Sequence, residues 1–217
     1  MVAGGAIWEL LTYLPGRVLG WCRRDSLWQT GDIIARFHAA SEQVSSADQR
    51  PGALPLPDCW PTTRSIQKLV QQFHDQLDVP SYATARRCVI HGDPTSHNVL
   101  VRGRPSRPSG LIDFTLAYRE AASADLAFAL WRSGRPAQHA LDYDLGRITS
   151  LVRGYHRVRP LEPDEAALIP VLMLGRGLQM LTRLESRGQN DAALLGRLTW
   201  VSSHQQQIHG AVVSALS

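Results

Sequence analysis

With 217 residues, 44% of them apolar, the chain is long enough for one sizeable domain with a real core, and disordered and fibrous classes are excluded. The formal charge of +4 and the pI near 9.3 come from scattered residues: Lys68 is the only lysine among 23 basic residues, and no arginine run exceeds the pairs Arg23-Arg24 and Arg86-Arg87. A nucleic-acid surface concentrates its charge in a stripe with interleaved aromatics, so no nucleic-acid partner is expected.

The opening residues MVAGGAIWELL carry neither a basic n-region nor a cleavage site, and the longest strongly apolar stretch, Ala166 to Gly175, is too short to span a bilayer. The expectation is a soluble, cytoplasmic chain with no membrane partner. The segment AIWELLTYLPG reads as one strand-like run, punctuated by Pro15-Gly16 and lacking a hairpin partner. TGDIIARFHAA then places Ile33, Ile34, Phe37 and His38 on one side of a helix, with Thr30 or Asp32 as N-cap. His38 on that apolar face reads as a core or rim residue. A proline-rich loop over 51–61 precedes a second amphipathic helix from Ser65 to Leu77, built on Ile66, Leu69, Val70, Phe73 and Leu77.

The period then changes. CVIHGD, HNVLVRG and SGLIDF are short Val/Ile/Leu runs separated by Gly, Pro and Ser, which predicts two hairpin-like elements with a loop at 105–108. From Ala122 the pattern is helical again, through SADLAFALWRSG, YDLGRITSLVRGYHRV, PDEAALIPVLMLGRGLQMLTRLESRG and a last helix from about Asp191 to Leu216. Cys22, Cys59 and Cys88 are odd in number, far apart and without C-x-x-C spacing, so they read as reduced structural thiols.

The chemistry concentrates in the strand-rich segment. In HGDPTSHNVLV, Asn98 follows Asp93 by five positions, and LIDF supplies Asp113 after a strand and a turn. A strand-loop-strand-turn-strand path returns Asp113 beside the loop that bears the other two, so all three can face one pocket. Asp93 alone reads better as a turn initiator before Pro94 than as a catalytic group. Together the three supply what phosphoryl transfer from ATP requires: a carboxylate to take the proton of the attacking hydroxyl, and hard oxygen ligands for Mg²⁺. The order and spacing match the catalytic Asp, metal-binding Asn and later metal-binding Asp of protein kinases. His91 and His97 beside Cys88 lack zinc-site spacing and read as structural. LGRGLQMLTRL lacks the strand-loop-helix context of a phosphate cradle, and no hydrolase motif stands out.

HGDPTSHN, followed by LIDF and ADLA, resembles the aminoglycoside phosphotransferase family and its relatives, such as choline and homoserine kinases. Gly92 stands where protein kinases carry arginine, which favours this small-molecule branch. WELLTYLPG looks like the family's interlobe linker and GDIIARFHA like the helix after it, so the resemblance covers nearly the whole chain.

The resemblance implies a mostly helical α+β fold, the C-terminal catalytic lobe of a protein-kinase-like fold with a small β insert. It assigns 1–16 to the interlobe linker and the last strand of an otherwise missing N-terminal ATP-grasping lobe. Residues 17–217 become the helical catalytic lobe, with catalytic and metal loops at 88–114. By the same resemblance Asp93 is the catalytic base, Asn98 and Asp113 bind Mg²⁺, and the backbone near Leu11, Thr12 and Tyr13 holds the adenine of ATP. His91 shapes the catalytic loop. Asp125 either braces that loop from below or is an exposed charge at a helix N-terminus. The implied partner is a small molecule with a hydroxyl acceptor. Two functions follow: an ATP-dependent phosphotransferase in truncated form, which predicts weak nucleotide binding, or a noncatalytic remnant or binding domain that keeps the lobe.

Overall fold

The computed structural model describes residues 2–3, 6–7, 13–20, 24–44, 64–104, 106–189 and 191–217. Cys22, Cys59, Leu11, Thr12 and the proline-rich stretch 51–61 lie outside them. The chain is mostly helical with small antiparallel sheets, as the sequence pattern requires.

Strands β1 (Val2–Ala3) and β2 (Ala6–Ile7) pair antiparallel, Val2 opposite Ile7, so the start of the opening run, expected to lack a strand partner, has one. Strand β3 (Arg17–Val18) pairs with β5 (Val99–Arg102), which pairs with β6 (Arg107–Leu111). Pro108 therefore sits in a strand, not in the expected loop. It occupies an edge strand beside a register shift between Leu100 and Val101, where a missing N–H is tolerated. Strand β4 (Arg87–Ile90) pairs with β7 (Tyr118–Ala121), a strand the sequence pattern did not reveal. The run YREA hides its strand character because Glu120 points inward, fully buried, and is neutralised by Arg87 Nη1 at 2.7 Å.

Helix α1 (Arg24–Ser41) begins six residues before Thr30, so neither expected N-cap is one. Thr30 instead donates back to the Ser26 carbonyl at 3.2 Å, and Asp32 pairs with Arg36 and Arg157 from within the helix. Helices α2 (Arg64–Gln76) and α3 (Val79–Thr84) follow, the latter capped by Asp78. Helix α4 (Ala122–Ser133) is buried at every residue except Arg132, and α6 (Pro163–Glu185) packs along it. Helix α5 (Leu145–His156) starts at the Asp144 cap and lies against α1.

The expected last helix is two, α7 (Ala192–Ser203) and α8 (Gln205–Val213), broken at His204. His204 leaves helical geometry at φ −117, ψ 23, and its ring stacks on Trp200 at 4.1 Å. One core unites α1, α2 and α4 to α8, with Trp131, Tyr155, Phe73 and Leu172 among its largest members. No helix among the described residues is long and apolar enough to cross a membrane.

The α1–α5 contact is backbone against backbone. A Cβ on Gly31 would collide with the Leu151 carbonyl, and one on Gly154 with the Trp28 carbonyl. Gly31→Ala is accordingly expected to lower unfolding stability by about 2 kcal/mol or more, since neither helix backbone can yield without moving the core. Urea denaturation measures this, and a loss within experimental error would show that the helices separate freely.

Candidate active site

The β4–β7 register builds the site from below. Ile90 lies opposite Tyr118 and Arg87 opposite Ala121, so the chain leaves β4 into residues 91–93 while β7 runs straight into α4. That brings the first turn of α4 under the loop. Asp125, at 0% exposure, accepts the backbone N–H of His91 (Oδ2, 2.9 Å) and of Gly92 (Oδ1, 2.9 Å). The alternative reading of Asp125 as an exposed helix-terminal charge is thus corrected. The His38 ring bonds Asp125 Oδ2 at 2.9 Å through Nε2 and the Tyr155 hydroxyl at 2.8 Å through Nδ1. Both oxygens of this buried carboxylate meet a donor, which is what makes its burial tolerable.

Gly92 adopts φ +78, and a Cβ there would strike the Leu116 carbonyl. Its left-handed conformation and the close approach of residues 114–116 both require glycine. His91 Nε2 donates to the Ile112 carbonyl at 2.9 Å, and its Nδ1 accepts from Asp93 N–H at 3.3 Å. The two contacts define one tautomer. Ile112 N–H in turn donates to the Asn98 carbonyl at 3.0 Å, so Ile112 is clamped between the two loops and Asp113 emerges one residue beyond.

Asn98 Nδ2 donates to the Asp93 carbonyl at 2.9 Å and approaches Asp93 Oδ2 at 3.5 Å, while Thr95 N–H donates to the Asp93 carbonyl at 2.7 Å. The amide nitrogen is committed to the loop, and the amide oxygen is the group left to act as a ligand. Asp113 has φ +64, a conformation rare outside glycine, and is exposed. Such a strained backbone persists where its surroundings over-determine it. Thr115 Oγ1 donates to Asp113 Oδ1 at 2.6 Å. Phe114 packs between Phe37 (5.2 Å) and His91 (4.8 Å) with its ring tilted to both, which supports the turn after Asp113.

The Thr115 hydroxyl, then the Thr115 backbone, hold the Asp113 carboxyl below the usual aspartate range. A depressed folded-state value adds stability above the unfolded aspartate pKa, lost as pH falls through the lowered value; exposure to solvent keeps that contribution small. Thr115→Val is expected to move the Asp113 titration upward in a carboxyl-carbon NMR titration. An unmoved curve would assign the effect elsewhere.

Tyr13 is 82% exposed, beside Leu14, whose side chain lies over Gly110 of β6. Residues 13–20 run along the hairpin, with Leu19 N–H bonded to the Val99 carbonyl at 2.9 Å. Burial pushes the Cys88 thiol up to about 12, which suits an inert structural cysteine. Among the described residues no three His, Cys, Asp or Glu side chains gather into a metal cage. One carboxylate, one amide oxygen and a neighbouring carboxylate do fit a cation that completes its shell with water and phosphate oxygens, as Mg²⁺ does. A cavity of about 560 Å³ lined by Trp28, Asp32, Arg36, Arg107 and Arg157 opens at the far end of the β5–β6 hairpin and includes none of the three. At their site Asp113 is exposed and Asp93 and Asn98 are half-buried. His38, Tyr155, Phe37 and Thr115 complete it, and only His38 and Phe37 carried a sequence signal, their place on the buried face of α1.

The fold and this loop geometry define the catalytic lobe of a kinase-like fold. Its outline matches the aminoglycoside phosphotransferase from Alicyclobacillus acidocaldarius at a TM-score of 0.57, with 15% identity over 94% of this chain and 69% of that one. It also matches an amicoumacin kinase solved with AMP-PNP and Ca²⁺, at a TM-score of 0.59, 16% identity, 88% of this chain and 62% of that one. In sequence it is 32% identical to the homoserine kinase of Beijerinckia indica over 71% of this chain and 50% of that protein. It is 30% identical to the homoserine kinase of Rhizobium etli over 81% and 56%. The profile of the phosphotransferase enzyme family covers residues 3–161, and the chain belongs to that family. It spans about half the length of the curated relatives it matches.

Proposed function

We infer that this chain carries the catalytic portion of an ATP-dependent phosphotransferase acting on the hydroxyl of a small molecule. The observation that carries the reading is the clamp around Ile112, which joins the 91–98 loop to the residue before Asp113 through the His91 ring at 2.9 Å and a backbone bond from Ile112 N–H to the Asn98 carbonyl at 3.0 Å. Asp93 acts as the base, and Asn98 and Asp113 as ligands of a divalent cation, Mg²⁺ in the simplest case. His91 and Asp125 hold the loop. The backbone near Leu11, Thr12 and Tyr13 takes the adenine, with 1–16 as linker and 17–217 as catalytic lobe.

Asp93 accepts the proton of the acceptor hydroxyl as its oxygen bonds to the γ-phosphorus. The bond from that phosphorus to the β–γ bridging oxygen breaks, and ADP leaves with the electron pair. When bound, the cation neutralises charge on the phosphates. Asn98 and Asp113 orient it from opposite loops. The homoserine kinases among the relatives favour a small amino-acid or amino-alcohol hydroxyl over a large antibiotic as acceptor.

The test is acceptor-dependent ADP formation at saturating ATP and Mg²⁺ across homoserine, 1-aminopropan-2-ol and an aminoglycoside, with ³¹P NMR of the product. A phosphorylated acceptor whose formation stops in EDTA supports the reading. Nucleotide binding without turnover on any acceptor overturns it in favour of a noncatalytic domain.

A further inference from the structure

Helix α6 brings a cation to the Asp93 loop without giving it an acidic partner. The Arg176 guanidinium lies 4.3 Å from the centre of the Phe128 ring, and its side-chain hydrogen bond is a long one, 3.4 Å to Gln179 Oε1. Phe128 follows Asp125 by one helical turn on α4, and Asp125 is the residue that holds His91 and Gly92, so the guanidinium sits beside the loop that bears Asp93. No ion pair to Arg176 forms among the described residues, whereas Arg86, Arg87, Arg157 and Arg159 all have one.

Burial pushes the Arg176 pKa down and Arg183 does the same, while Asp93, Tyr118 and Asp125 oppose them from beyond pairing distance. Arg183 is two turns further along the same face of α6 and is exposed. A partly buried guanidinium held without a carboxylate is costly to the free protein, and its planar fork matches a carboxylate through two parallel bonds. Stacking on a ring leaves those edge donors available.

We propose that Arg176 is a specificity-determining residue that receives the carboxylate of the acceptor while the acceptor hydroxyl is presented to Asp93, which makes the acceptor class hydroxy amino acids. The proposal rests on the phosphotransferase reading above. Arg183 adds positive field to the same approach and disfavours polycationic acceptors.

The decisive comparison uses homoserine and 3-aminopropan-1-ol, which share the amino group and primary hydroxyl and differ in the carboxylate. Binding to the chain is read by saturation-transfer NMR, which needs no turnover, and phosphorylation is read beside it. The wild-type chain is expected to bind homoserine at least about tenfold more tightly, the scale at which a paired polar group discriminates. Arg176→Gln is expected to abolish that ratio by weakening homoserine alone, and Arg176→Lys, which keeps the charge and the helix, to retain part of it. Equal binding of the two ligands by the wild type, or an equal loss of both in the variants, overturns the proposal and leaves Arg176 a counter-charge for Asp93. Phosphorylation of both ligands without preference sinks this inference and spares the phosphotransferase reading. Arg176-dependent homoserine binding with no phosphorylation does the reverse.

Discussion

Replacing Asp93 by asparagine is expected to lower turnover at least ~100-fold, the usual loss when a general base is removed, with no change in the melting transition. The two effects separate because the loop is held by Asp93's backbone and not by its carboxylate. Its carbonyl takes Asn98 Nδ2 at 2.9 Å and Thr95 N–H at 2.7 Å, and its N–H goes to His91, whereas among the described residues the carboxylate has only the 3.5 Å approach of Asn98. An isosteric amide keeps all the backbone contacts and removes the proton acceptor. The measurement is acceptor-dependent ADP formation by the wild-type chain, or by a longer protein that contains it, beside thermal melting. Turnover within tenfold of the wild type would remove Asp93 from the chemistry.

The second large effect is on stability. Asp125→Ala is expected to cost about 3 to 5 kcal/mol, the range for removing one partner of a buried polar pair. The loss has three parts in one place: the N–H groups of His91 and Gly92 are stranded, and so is His38 Nε2, all at buried residues. Asp125→Asn is expected to fall between alanine and the wild type. It keeps one acceptor oxygen, yet its NH₂ cannot accept from the two donors that share Oδ2. Urea denaturation of the three proteins orders them, and an alanine variant as stable as the wild type would show that water replaces the carboxylate. The Tyr155 hydroxyl, whose pKa burial pushes upward, extends the same network from His38 to Arg159 at 3.3 Å. Damage at Asp125 therefore reaches α5 as well.

The alternation of short apolar runs with Gly and Pro, followed by long 3.6-period segments, was enough to read a mostly helical chain with a short strand-rich segment, and the family resemblance made of it a lobe with a small β insert. The candidate trio was legible too, because Asp93, Asn98 and Asp113 lie within 21 residues and a hairpin between them has few ways to fold. Where the reading failed, the cause was a contact with a distant residue. β7 carries a buried glutamate that Arg87 and the Ala121 N–H help to satisfy, the first half of α1 lies against α5 at Trp28 and Gly31, and His204 breaks the last helix by stacking on Trp200.

Local pattern by itself determined which residues are candidates for the chemistry, since spacing along a hairpin limits where side chains emerge. The tertiary structure decided what holds and surrounds them: that Asp125 lies beneath the loop, that His38 and Tyr155 complete its bonding, and that Arg176 arrives from α6 on the Phe128 ring with no ion pair among the described residues. These contacts join residues 34 to 117 positions apart or the faces of two different helices. Periodicity records which face of a helix is buried, and it carries no information about which other element that face will meet.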